Sequence, residues 1–172
     1  MKNAKKLTVC AVLISLALAL NYLERFIPLQ LLVPLPGIKL GLANIVTLIA
    51  LYMLDVKSAV IILVTRCLMG AMFGGGVTGL LFSLTGGLVA ITMMILASRI
   101  PVFSVYGVSI LGAAGHNVGQ IMASMLLMQS IYIGAYLPYL LIVALFTGFA
   151  TGSCASGVIR IMQKSGAAAF PK

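Results

Sequence analysis

Long stretches of almost unbroken apolar sequence follow one another along this chain, separated only by short polar interruptions. Each is near the length at which an α-helix crosses a membrane's hydrocarbon core, about 20 residues. That succession restricts the fold severely. A segment inside lipid must satisfy its own backbone hydrogen bonds, and a helix does so. Six such spans are expected, at about Leu7–Leu23, Ile38–Leu54, Ser58–Phe73, Val77–Ser98, Tyr106–Gln129 and Tyr136–Arg160.

Composition agrees. Of 172 residues, 62% are hydrophobic and 8% charged, against about 25% charged in a soluble domain. Too few polar groups exist to cover a water-facing surface. The expected fold class is an all-α integral membrane protein, one six-helix bundle over residues 1–164. A short small-residue tail, 165–172, is expected to be disordered.

The cations mark the span ends. With the N-terminus inside, Lys2, Lys5, Lys6, Lys57, Arg99, Arg160, Lys164 and Lys172 face the cytoplasm, and Arg25 and Lys39 face out. That bias predicts both termini on the cytoplasmic side of the membrane. The net charge of +9 is therefore a topology signal. No basic face with interleaved aromatics suggests nucleic acid. Ala17-Leu18-Ala19 imitates a signal-peptide cleavage site, but the apolar run continues beyond it, so the first span is expected to be retained. Cys10, Cys67 and Cys154 have no metal-ligand spacing and read as buried free thiols.

Candidate binding residues come from three places. Pro36 and Gly37 end a Pro-rich loop, and Lys39 is expected at the entrance of the second span, with Asn44 one to two turns in. Unpaired N–H groups at a helix start attract anions, although Lys39 equally suits an interfacial anchor. Arg66 falls near the bilayer midplane, where a charge costs at least about 2.5 kcal/mol. Glu24 and Asp55 read as span-end residues, so no internal acid is expected to pair with it. An anionic ligand or backbone carbonyls would satisfy the guanidinium. In the fifth span His116 and Gln120 share a helix face, with Asn117 beside it. They suit either a polar pocket or interhelical hydrogen bonding. Gly115 and Gly119 allow close helix contact.

Ala11, Ser15 and Ala19 form a stripe of small residues on the first span, fit for packing or for docking a partner. The glycines around Gly74 and the Pro34 loop are candidates for a lid. Chemistry is poorly provided for. The chain has two side-chain carboxylates, too few for an aspartate-rich Mg²⁺-diphosphate site. It has no Walker A loop, no Ser-His-Asp set and no zinc ligation by its lone histidine. No cofactor and no metal site are expected.

PGIKLGLANIVTL, Arg66 before Gly70, FSLTGGL at Phe82–Leu88 and GAAGHNVGQ at Gly112–Gln120 together resemble the Gx transporter family. Its members often carry the label heptaprenyl diphosphate synthase component I. The resemblance covers about Leu7 to Arg160. That family is similar to the substrate-binding S components of energy-coupling factor (ECF) transporters. The resemblance implies a non-enzymatic subunit that captures a small anionic or vitamin-like molecule from outside. It implies partners as well, a membrane coupling subunit and two cytoplasmic ATPases. Ala11, Ser15 and Ala19 would dock the coupling subunit. Lys39, Asn44, Arg66, His116, Asn117 and Gln120 would line the substrate site. The label leaves open a membrane subunit of prenyl diphosphate or quinone synthesis, and a stand-alone permease is a third possibility.

Overall fold

The computed structural model describes residues 2–26 and 39–164. These are helical in five continuous runs. Helix α1 spans Lys2–Leu23 and continues into a 3₁₀ turn, Glu24–Phe26. Helix α2 spans Asn44–Met53. Helix α3 runs from Val56 to Ser98. Helix α4 spans Val105–Met128, and α5, preceded by a 3₁₀ segment over Ile131–Tyr136, spans Leu137–Lys164. The expected lid at Pro34 and the tail at 165–172 lie outside the described residues.

Four runs are long and apolar enough to cross a membrane: Ala4–Leu23, Val56–Ser98, Val105–Met128 and Ile131–Lys164. The expected six spans are corrected in two places. The second shortens to the ten residues of α2, because Gly41 turns the chain at φ 81° just before it. Lys39 is therefore not at the helix entrance, and Asn44 is the first helical residue. The third and fourth are joined in α3 by a kink at Ala71–Gly75, where Phe73 and Gly74 leave helical φ/ψ and Gly74 has φ 99°. The chain doubles back there. A Cβ on Gly87 would fall 2.6 Å from Leu63 Cδ1, so the arm Gly76–Ser98 lies along the arm Val56–Gly70.

Helix α2 is enclosed on all sides. Val46, Leu48, Ile49 and Ala50 are all buried, as an all-round apolar helix requires. Ala17, Val46, Ile62, Leu63 and Ile91 join it to α1 and both arms of α3. Leu48, Ile49, Met94, Val108 and Ile159 join it to α4 and α5. Outside this core, Val12, Ile61, Leu68, Leu126, Phe146 and Phe149 are exposed and suit contact with lipid. Of the cysteines Cys67 is buried, Cys10 half-buried and Cys154 exposed, which corrects the expectation of three buried thiols.

At one end of the bundle, Asp55 caps α3 by accepting a 2.7 Å hydrogen bond from the Ser58 N–H, and it pairs with Lys6 of α1. The hydrogen bond from Lys6 holds the Asp55 carboxyl below its ordinary range, and the Ser58 N–H adds to this. A folded value below the unfolded one places the stabilisation at neutral pH and removes it as pH falls through the folded value. Both side chains are over a third exposed, so screening limits the pair to about 0–1 kcal/mol. Asp55→Asn keeps a good cap and should lower stability by no more than that at pH 7. In acid the variant and the parent should converge, as followed by unfolding in mixed detergent micelles.

Candidate functional site

Opposite that end, five of the six predicted binding residues come together where the chain before α2 meets α1, α3 and α4. The Lys39 ammonium donates to Asn21 Oδ1 of α1 at 2.9 Å and to Ser83 Oγ of α3 at 3.2 Å. Its backbone N–H donates to Gln120 Oε1 of α4 at 3.3 Å. One residue thus ties three helices. Arg66, only 4% exposed, donates from Nη2 to Asn44 Oδ1 at 3.2 Å. His116, 2% exposed, lies between Gly41 and Gly86. A Cβ on Gly41 would fall 2.9 Å from its Cδ2, and one on Gly86 2.8 Å from its Nδ1. Glycine at both positions makes room for the imidazole.

Asn117 faces elsewhere. Its Nδ2 donates to the Leu140 carbonyl of α5 at 2.7 Å. Neighbours on a helix do not share a face, and here Asn117 joins α4 to α5 while His116 and Gln120 look towards α3.

The sequence reading missed the acid. Glu24 is 4% exposed and accepts from the backbone N–H groups of Gly41 and, at 3.4 Å, Leu42. Burial pushes its carboxyl above the ordinary carboxylate range, against the opposing pull of the Gly41 N–H and of the charges on Lys39 and Arg66. Its neighbours Asn21 and Ser83 also join the cluster. The available signal was spacing: Asn21 and Glu24 are three apart on α1, and Ser83 sits three before Gly86.

Six buried side-chain atoms find no hydrogen-bond partner among the described residues: Asn44 Nδ2, Thr47 Oγ1, Arg66 Nε, both His116 ring nitrogens and Gln120 Nε2. All belong to this cluster or, for Thr47, to the next turn after Asn44. Buried polar groups are normally satisfied, and each one left bare costs about 1–3 kcal/mol. A cluster in one place is the arrangement expected of a binding site. Among the described residues no group of three His, Cys, Asp or Glu side chains is placed to hold a metal.

Beside it, Leu18, Ala19, Asn21, Tyr22, Gly70 and Phe73 line a mainly apolar cleft of about 280 Å³ between α1 and the turn of α3. On the outer side of α1, Ala11, Ser15 and Ala19 are all exposed. The Ser15 hydroxyl is turned back on the Ala11 carbonyl at 3.0 Å.

A family model described as heptaprenyl diphosphate synthase component I matches residues 13–158, which include all six predicted binding residues. No curated protein and no solved structure matches the chain.

Proposed function

The chain belongs to the heptaprenyl diphosphate synthase component I family, and within it we propose a binding subunit for import, an S component that captures a small anionic molecule from outside. The observation that carries this is the cluster of unpartnered polar atoms around the buried Arg66. Arg66 and Lys39 supply positive charge, while Asn44, His116 and Gln120 supply directional contacts. Asn117 supports the site by holding α4 against α5. The basic ends of the helices face the cytoplasm in this reading, and the Glu24–Gly41 end faces out.

The chain does no chemistry of its own here. Its two acids are both engaged, Glu24 by main-chain amides and Asp55 by Lys6. No carboxylate pair is left to hold a metal-bound diphosphate. ATP hydrolysis falls to two cytoplasmic ATPases, which reach this chain through a membrane coupling subunit. The exposed Ala11–Ser15–Ala19 stripe gives that subunit room to approach. Replacing Ala11 and Ser15 together by leucine should abolish co-purification of the coupling subunit without changing ligand affinity. An intact complex from the double variant would remove the docking role.

A second reading follows the family's name: a membrane component of prenyl diphosphate synthesis. The apolar cleft beside Asn21 favours it, since that space suits an isoprenoid tail. Native mass spectrometry on protein extracted gently from host membranes separates the two. A complex with a membrane subunit and two ATPases supports the import reading. A soluble prenyltransferase partner, with metal-dependent product formation, supports the other.

A further inference from the structure

The end of the bundle opposite the candidate site is far more basic than the chain's own acids can balance. Lys6 and Asp55 pair there and tie the start of α1 to the start of α3. Met53, Ala97, Val108 and Ile159 pack together, which brings the end of α2, the second end of α3, the start of α4 and the last turns of α5 to the same level. Lys5, Lys57, Arg99, Arg160 and Lys164 are exposed around it. The sequence holds two side-chain carboxylates, Glu24 and Asp55. Glu24 lies at the other end, against the Gly41 and Leu42 amides, and Asp55 is taken by Lys6. No side-chain acid is left for the five exposed cations, so their counter-charge comes from outside the chain.

The neighbours of these cations indicate its source. Leu7 follows Lys5 and Lys6, Val56 precedes Lys57, Ile100 follows Arg99 and Ile161 follows Arg160, and all four apolar side chains are exposed. In the connection between α3 and α4, Val102 is 86% exposed. Cations and bare apolar side chains at one level suit the boundary where phospholipid headgroups meet acyl chains. A dissolved anion would satisfy the charges and leave the apolar groups in water. A single docked protein fits the distribution poorly. Among the described residues α2 packs against both α1 and α5, and those two do not touch each other. A partner seated on α1 would leave Arg160 and Lys164 of α5 uncovered, whereas surrounding lipid meets every helix.

We propose that this end of the bundle holds a ring of acidic phospholipid headgroups, several lipids rather than one, with Lys57, Arg99, Arg160 and Lys164 selecting them over zwitterionic lipid. The proposal is independent of the ligand site at the other end. One basic residue near an anionic membrane surface strengthens binding about fivefold. Two or more cations sharing a headgroup therefore give a preference of roughly tenfold or more.

The full chain would be placed in nanodiscs of equal parts phosphatidylcholine and phosphatidylglycerol. Native mass spectrometry on the released protein reads the ratio of the two lipids retained, and circular dichroism follows unfolding in the mixture and in phosphatidylcholine alone. Phosphatidylglycerol is expected to be retained about tenfold over phosphatidylcholine, in more than one copy per chain, and to raise the unfolding temperature. Lys57→Gln with Arg99→Gln, and Arg160→Gln with Lys164→Gln, should each lower the ratio. The four substitutions together should bring it close to one while helix content is kept; if that variant does not fold, the two double variants decide. Inorganic phosphate added to phosphatidylcholine nanodiscs should not reproduce the stabilisation. Equal retention of both lipids by the unaltered protein would overturn the proposal. An unchanged ratio in the variants would overturn the role of these four residues. Loss confined to one double variant would replace the ring by a single site. Stabilisation by inorganic phosphate as large as that by the acidic lipid would overturn lipid as the partner.

Discussion

Replacing Arg66 by methionine is expected to abolish ligand retention while leaving a folded bundle. The two effects separate because among the described residues Arg66 makes one hydrogen bond, Nη2 to Asn44, and its Nε makes none. The guanidinium is nearly inaccessible and lies in a run long and apolar enough to cross a membrane. Placing it there costs at least about 2.5 kcal/mol. A fold that gained stability from Arg66 would satisfy more of its donors. Truncating one member of a buried, charge-assisted contact with a ligand costs about 2–5 kcal/mol, which is roughly 30-fold to several-thousand-fold in affinity. Methionine matches the length of the aliphatic stem and needs no partner. Ligand-free stability should therefore hold or rise, less the small loss from Asn44 Oδ1 going without its donor. Affinity by calorimetry and unfolding in the same micelles would be compared. Unchanged affinity would remove Arg66 from the site. A collapse of folding would show that Arg66 holds the bundle together.

The sequence revealed Arg66, His116 and Gln120 for one physical reason: polar groups deep in an apolar run stand out against the cost of putting them there. Glu24 carried no such contrast. It ends an apolar run beside Arg25, where a charge is ordinarily in water, and its burial depends on the Gly41 segment folding back onto it. That is a long-range event with no local signature. The length of α2 was hidden for the same reason. Hydropathy resumes at Leu40 directly after Lys39, whereas the helix begins at Asn44, after Gly41 turns with a positive φ and the Lys39 N–H goes to Gln120 of α4. The join in α3 shows the reverse case. Gly74-Gly75-Gly76 reads as a break, and the backbone does reverse there, but within the five residues Ala71–Gly75, where Phe73 and Gly74 leave helical φ/ψ and no longer loop separates the two arms. Asn117 was grouped with His116 by adjacency, yet a step of one residue turns a side chain about 100° around a helix. The GxxxG reading of Gly115 and Gly119 holds at the atomic level. A Cβ on Gly115 would fall 3.2 Å from the Val89 carbonyl oxygen, and α4 rests on the second arm of α3 at both positions.

That contact carries the second large effect, which falls on the fold first and the site after it. A Cβ on Gly119 would lie 2.6 Å from the Thr85 carbonyl oxygen and 2.7 Å from Gly86 Cα. Both are backbone atoms of a helix and cannot swing aside as a side-chain tip can. Gly119→Ala therefore forces α4 and the second arm of α3 apart. Overpacking of this kind costs about 1–3 kcal/mol, outweighing the roughly 1 kcal/mol that alanine gains over glycine in a helix. Gly119→Leu should prevent assembly altogether. The displaced segment includes Gly86, which lies against His116 Nδ1 and Gln120 Cγ, so the surviving alanine variant should also bind ligand more weakly. Gly157 on α5 supplies the opposite sign: a Cβ there meets nothing within 4 Å. Gly157→Ala should be neutral or slightly stabilising, with affinity unchanged. Unfolding of the three variants and the parent in one detergent, followed by circular dichroism, tests the contrast. Equal stability of Gly119→Ala and Gly157→Ala would mean that α4 and α3 are not packed backbone to backbone, and the placement of His116 between Gly41 and Gly86 would fall with that packing.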